Sequence, residues 1–275
     1  AKKKKFIPII DMQNFPTIYN ENKKIFNSLN AWDYYFKKIN KYKLSEVYKS
    51  YKVIFSTNYL KDDMYGDISD NKNFIRFKKK IKIRNSYYNE AKSFIKKRIK
   101  KDKKIIGVHL RGTTYKIAKN HPYPVPKKMM LNILNQVVKK EKVDKIFLCT
   151  EEKKYQSYFK KKLGNKLITF NSFRTEKVDA FNFYPRRKHR FNLGKEILIE
   201  SIILSNCDIL IYVNSNVIEG SLFFSKKKIK KYEIFLGNNS NNKFIAKRLW
   251  YIKNLFPSFL GGFNNKIRLE ELNFK

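Results

Sequence analysis

From Lys104 to about Leu236, short apolar runs alternate with amphipathic stretches, and no other feature of the 275 residues constrains the fold as strongly. Lys104-Ile-Ile-Gly-Val-His-Leu110, Asp144-Lys-Ile-Phe-Leu-Cys149, Lys166-Leu-Ile-Thr-Phe170 and Asp208-Ile-Leu-Ile-Tyr-Val213 read as buried strands, with a weaker fifth at Lys231-Tyr-Glu-Ile-Phe-Leu236. Helical patterns fall between them at about 126–140, 151–163, 194–205 and 216–225. In the first of these, Leu131, Leu134, Val137 and Val138 share a face. Strands alternating with helices of this length imply parallel crossovers, so the expected class is α/β with a doubly wound, Rossmann-like sheet.

Residues 1–100 break the pattern. They carry aromatic clusters such as Trp32, Tyr34, Tyr35 and Phe36, and a basic helix around 85–100. One strand is expected at Tyr51–Ser56, with another at Phe6–Asp11 ending in an acid. This part reads as a smaller α/β domain, with its boundary near 100–103, followed by a sheet domain over 101–240. A C-terminal tail, 241–275, holds a helix through Trp250 and Leu255 that Pro257 and Gly261-Gly262 end. The start, Ala1 and four lysines before Phe6-Ile7-Pro8, lacks the apolar core of a signal peptide. Without an initiator Met it reads as truncated or processed. No stretch approaches the ~20 apolar residues of a membrane span.

Composition matters mainly through charge: 62 Lys+Arg against 23 Asp+Glu leave +39. Such an excess suggests nucleic acid or an anionic membrane. Only ten of the 62 are arginine, however, and the 52 lysines are spread along the chain among Asn, Ile, Phe and Tyr. Lysine is the poorer residue for bidentate reading of bases. The reading is therefore a solvated lysine coat rather than a specific nucleic-acid surface. Two cysteines, Cys149 and Cys207, fit a reducing compartment, the cytoplasm, with peripheral contact at an anionic inner membrane allowed.

Ligands of open parallel sheets bind beyond the carboxyl ends of the strands, near the reversal in strand order. Those ends are polar here: His109-Leu-Arg111-Gly-Thr113-Thr114, then Thr150-Glu151-Glu152, Asn171-Ser172, and Asn214-Ser215-Asn216 opening a helix. Neither a dinucleotide glycine fingerprint nor a phosphate-loop motif is present. Arg111, Ser215 and the amides opening the helix at Asn216 can hold a diphosphate without one, with Thr113 and Thr114 adding donors. Group transfer away from a bound diphosphate needs that leaving group neutralised by fixed donors. It also needs a base or close anion at the acceptor hydroxyl, for which Asp11, His109, Glu176 and Asp179 are candidates. The loop 171–192 holds Arg174, Arg186, Arg187 and Arg190, and reads either as a mobile basic loop or as a closing lid. Asp62, Asp63, Asp67 and Asp70 sit in a turn-like stretch rather than after a strand, and the three histidines lack metal-ligand spacing. No metal and no cofactor is expected.

Gly107-Val-His-Leu-Arg-Gly-Thr113 resembles the His-x-Arg-x-Thr motif of the fucosyltransferase superfamily, which includes α-1,6-, α-1,2- and protein O-fucosyltransferases. Phe147-Leu-Cys-Thr-Glu-Glu152 resembles its second motif. Leu198-Ile-Glu-Ser-Ile-Ile-Leu-Ser-Asn-Cys-Asp208 with Tyr212-Val-Asn-Ser-Asn216 resembles its third. The resemblance runs in order over about residues 105–225. It implies a GT-B-like fold and an inverting, metal-independent glycosyltransferase that uses a GDP-sugar as donor and a glycan as acceptor. Carried over, Arg111 neutralises the β-phosphate and His109 lines the same pocket. Glu151 or Glu152 lies at the guanine or ribose end, Glu200 contacts the nucleotide, and Asn214, Ser215 and Asn216 surround the phosphate oxygens. Thr114 stands where the family often has Asp, and both paired acids are Glu. The donor sugar is thus open between fucose and another 6-deoxy sugar such as a deoxy-heptose, in the building of a bacterial surface polysaccharide. Two rival readings are a lysine-rich nucleic-acid-binding protein and a non-catalytic sugar-nucleotide scaffold.

Overall fold

A computed structural model describes residues 7–54, 78–99, 103–176 and 180–264. Five parallel strands, β1 (Ile105–Leu110), β2 (Lys145–Thr150), β3 (Leu167–Ile168), β4 (Ile209–Tyr212) and β5 (Lys230–Glu233), form one sheet in the order β3-β2-β1-β4-β5. The chain builds outward from β1 to β3, then returns to the other side of β1. The reversal in strand order therefore falls between β1 and β4. The helices are α1 (Ala31–Tyr35), α2 (Leu44–Val47), α3 (Asn85–Arg98), α4 (Lys127–Glu141), α5 (Lys153–Leu163), α6 (His189–Leu204), α7 (Asn216–Phe224) and α8 (Lys243–Leu255).

β1 is buried along its whole length, as expected of a central strand covered on both faces. Its side chains alternate. Ile106, Val108 and Leu110 join a core with α4, α5 and Trp250 of α8, whereas Ile105 faces α1, α3, α6 and α7 together with Phe147, Leu210 and Tyr212. Gly107 sits where α6 comes close: a Cβ there would lie 2.7 Å from Leu210 and 2.8 Å from Leu204. On α4 the buried face is Met129, Met130, Ile133, Leu134 and Val137, with Leu131 and Val138 at its margin. The expected stripe is thus rotated toward the two methionines, whose unbranched chains fill the space under β1.

The strand expected at Phe6–Asp11 is not found at residues 7–11, and residues 51–54 of Tyr51–Ser56 are irregular. Phe6, residues 55–56, Asp62, Asp63, Asp67, Asp70, Asp179 and the tail from 265 lie outside the described residues. Among the described residues of the first hundred there are two isolated bridges, Ile25 with Ser28 and Phe36 with Ile83, and no strand of a sheet. The segment instead buries aromatics against the second face: Tyr34, Tyr35, Tyr87 and Ala91 share a core with Ile105, Phe147 and Ile199. Tyr35 donates its hydroxyl to the Phe191 carbonyl at 3.1 Å and stacks on the Phe191 ring. Around the first expected strand the backbone is taken by a side chain instead of a ladder: Asn30 Nδ2 donates to the Ile10 carbonyl at 2.8 Å and the Met12 amide donates to Asn30 Oδ1 at 3.1 Å, while Pro8 has no amide to give.

Candidate functional site

The reversal between β1 and β4 places the end of one strand and the start of a helix side by side. Cys149, His109 and Tyr212 form one row across β2, β1 and β4 and point to the α6–α7 face. His109 is 4% exposed, and its Nδ1 lies 3.2 Å from the Ser215 hydroxyl. Burial, helped by the charge of Arg111, lowers the imidazole to about 3, so the ring stays neutral. Ser215 caps α7, its Oγ accepting the Ile218 amide, and Asn214 and Asn216 flank it. The neutral imidazole, held on the cap serine, thus lies beside the N-terminus of α7.

Arg111 leaves the sheet one residue after β1. Its guanidinium lies over the Tyr115 ring, 3.8 Å from the centroid, and one NH2 lies 3.7 Å from Glu151. The Nε is buried and has no hydrogen-bond partner. A buried orphan donor on a fixed cation is costly unless a ligand satisfies it.

The backbone behind Arg111 is clamped by the acids after β2. The Thr113 hydroxyl donates to Glu151 Oε1 at 2.5 Å, and the Thr113 amide to Glu152 Oε2 at 3.3 Å. Buried Lys116 pairs with Glu152 at 2.6 Å and lies 4.9 Å from the centroids of Tyr155 and Trp250. Gly112 makes this possible, since a Cβ would come within 2.0 Å of Glu152 Oε2. Glu151 and Glu152 are therefore engaged with the loop that carries Arg111, and both carboxylates hold its register. Thr114 accepts the Ile117 amide at its carbonyl and is half-buried.

Of the arginines in the loop after β3, two are consumed locally. Arg174 pairs with buried Glu200, whose other oxygen lies 3.4 Å from Cys149 Sγ. Burial raises the Glu200 carboxyl while Arg174 pulls against it. Arg186 grips Glu196 through two nitrogens at 2.6 and 2.8 Å, and its Nε donates to buried His189. Glu196 and Glu200, one turn apart on α6, hold this loop against that helix. Arg187 is exposed, while Arg190 lies over Tyr184 with its Nε buried and without a hydrogen-bond partner.

Asp11 stays within the N-terminal segment. Its carboxylate accepts from the amides of Gln13 and Asn14, the Asn14 side chain and the Tyr48 hydroxyl. Burial pushes it up, but these donors together hold it below the usual carboxylate value, which makes it a weak base. Glu176 is exposed. Tyr19, which sequence reasoning passed over, packs edge-on against Tyr35 and Phe181. Its phenol feels the charges of both Arg111 and Glu151, and burial raises its pKa. A cavity of about 990 Å³ opens in the N-terminal segment, lined by Trp32, Asp33, Phe36 and Arg84, with Trp32 stacked on Phe36. It does not include the residues around Arg111. Among the described residues, no group of three or more His, Cys, Asp or Glu stands where it could hold a metal, and no helix is long and apolar enough to cross a membrane.

No protein-family model and no curated protein matches the chain. In structure the chain is similar to fucosyltransferases. The α-1,6-fucosyltransferase NodZ, solved from Bradyrhizobium, shares 16% identity at a TM-score of 0.38, over 56% of this chain and 46% of that one. POFUT1 in complex with GDP shares 12% at 0.37, over 59% and 52%. Arabidopsis thaliana FUT1 shares 11% at 0.34, over 56% and 33%. The chain thus spans about half or less of the length of these structures. At such scores the likeness carries no functional weight, and the arrangement around Arg111 bears the reading that follows.

Proposed function

We propose that the protein is an inverting, metal-independent glycosyltransferase that moves fucose or a related 6-deoxy sugar from a GDP-sugar to a hydroxyl of a bacterial surface glycan. The observation that carries this reading is Arg111: a cation fixed at the strand reversal, with a buried, unpartnered Nε. Beside β1, Ser215 caps α7 and contacts His109, so a helix N-terminus faces the same edge. A diphosphate bridging them satisfies the orphan donor and meets the positive end of the helix dipole.

As the anomeric bond breaks, negative charge grows on the departing diphosphate. In this reading Arg111 and the α7 amides supply fixed donors for that charge, which need little reorganisation. The acids Glu151 and Glu152 hold the Arg111 loop in place through Thr113 and Lys116. His109 remains neutral and keeps Ser215 aligned. Asp11 offers the acceptor a fixed anion rather than a strong base, and residues 1–100 form the acceptor side. The acceptor is an oligosaccharide or polysaccharide, and the site of action is the cytoplasm at the anionic inner face of the membrane.

Incubation with GDP-fucose and acceptor glycans, read by GDP release, tests the activity. Turnover that is lost in Arg111→Ala is the expected result. No release from GDP-fucose or GDP-deoxy-heptose, together with no calorimetric GDP binding at millimolar concentration, would overturn it.

A further inference from the structure

Helix α8 is apolar on two opposite faces. One face, Ala246 and Trp250, is buried in the sheet core. On the other, Phe244 is 72% and Leu255 80% exposed, with Ile245, Tyr251 and Ile252 also in the open. At 100° per residue Phe244, Tyr251 and Leu255 stack on one line, and Ile245 and Ile252 flank it. Beyond the helix, Pro257 starts the 3-10 turn Ser258–Leu260, where Phe259 is 84% exposed beside exposed Phe256 and Leu260. The stretch 241–264 contains Lys243, Lys247, Arg248 and Lys253 and no acidic residue.

A contiguous aromatic and aliphatic face edged by cations is the composition of a helix that lies in the headgroup layer of an anionic bilayer. Arg248 within the face can extend its charged end to the phosphates while its stem stays among the rings. The projecting Phe259 and Leu260 form a wedge, which fluid acyl chains accommodate more readily than a flat protein surface. The inner side of the same helix reaches the candidate site. Trp250 packs against Lys116, in the turn that follows Arg111, and Asn239 bonds both the Lys116 and Ala246 carbonyls.

We propose that α8 and the turn 258–260 are the surface by which the protein docks on an anionic phospholipid bilayer. This sets the Arg111 loop about one helix diameter, ~10 Å, from the membrane. The consequence that the acceptor is membrane-borne rests on the transferase reading; the docking itself does not.

Co-sedimentation of the full chain with vesicles at physiological salt tests this. Wild type should pellet with equimolar phosphatidylcholine and phosphatidylglycerol, and not with phosphatidylcholine alone. The double variant Leu255→Asp, Phe259→Asp should partition at least about tenfold more weakly. Its circular dichroism, thermal unfolding and calorimetric GDP binding should match wild type. Equal binding by the variant would assign the membrane contact to the lysine coat and overturn the proposal. So would a wild type that binds no vesicle, or one that sediments as a dimer dissolved by the variant, which would mark the face as an interface between copies. GDP binding without vesicle binding counts against this surface alone. Vesicle binding without GDP binding counts against the transferase reading alone.

Discussion

At the N-terminal edge of the sheet, Asp208 accepts the Ile105 amide at 2.9 Å and pairs with Lys227, and Asp144 accepts the Lys104 amide at 3.0 Å and pairs with Lys103. Glu141 takes Lys104, Lys230 and Tyr232 together. At the C-terminal edge, Arg111, Arg174 and Arg190 each keep a buried Nε with no hydrogen-bond partner. Both edges therefore carry closed polar networks, with Glu151, Glu152, Glu196 and Glu200 engaged at the second, but among the described residues it is the second, open edge that also keeps buried, unpartnered donors. Closed networks fix strand register. Under the proposed function, the unpartnered donors of the second edge are what an anionic ligand completes.

The largest effect should come from the open edge. Arg111→Ala should abolish transfer while leaving thermal unfolding close to wild type, because among the described residues the side chain's ion pairing is a long contact with Glu151. Retained turnover would remove Arg111 from the mechanism. Next comes the clamp that supports it. Glu152→Ala strands Lys116 as an uncompensated cation among aromatic rings, and should cost about 3–5 kcal/mol in denaturant unfolding. A loss below about 1 kcal/mol would mean that the loop is held some other way.

Acid should then distinguish the two edges. The unfolded chain protonates His109 near its ordinary 6.5, whereas the folded imidazole resists to about 3. Stability should thus decline from about pH 6.5 downward. Glu141 is held down to about 2, by Lys230 first and then, against burial, by Lys104 and Tyr232. Its contribution is intact above about 4.5 and is lost as pH falls toward 2. Thermal unfolding of His109→Gln across pH 4.5–6.5 should show a flatter slope than wild type, and an unchanged slope would contradict the neutral buried ring. The smallest effect is Ser215→Ala, which removes the α7 cap and the His109 contact and should lower stability by about 1 kcal/mol.

The sheet domain was legible in the sequence because β1, β2 and β4 are buried on both faces, and continuous apolar runs leave few alternatives. β3 is shorter than its apolar run, with two residues in the ladder, and α6 begins five residues before Gly194. That early start depends on His189, which bonds the Ala180 carbonyl and accepts from Arg186, partners that periodicity does not reveal. The N-terminal segment was misread for a related reason. Where its first strand was expected, the Ile10 carbonyl and the Met12 amide bond the Asn30 side chain, and its rings pack on residues as distant as Phe191, 156 positions from Tyr35. At the site, the motif around Arg111 was visible because strand-end polarity is local. The engagement of Glu151 and Glu152 with Thr113 and Lys116 was not, since it crosses between two strands. The loop arginines looked equivalent in sequence. Glu196 and Glu200, placed by α6, take Arg186 and Arg174 and leave Arg187 and Arg190 outside those pairs.

The central claim is that the open edge is a diphosphate site organised by Arg111. Titration calorimetry with GDP compares it directly in wild type, Arg111→Ala and a closed-edge control, Lys227→Ala. GDP should bind wild type and the control alike, and bind Arg111→Ala about a hundredfold more weakly, the loss expected for a charge-assisted contact of this kind. Equal GDP affinity in wild type and Arg111→Ala would contradict the account.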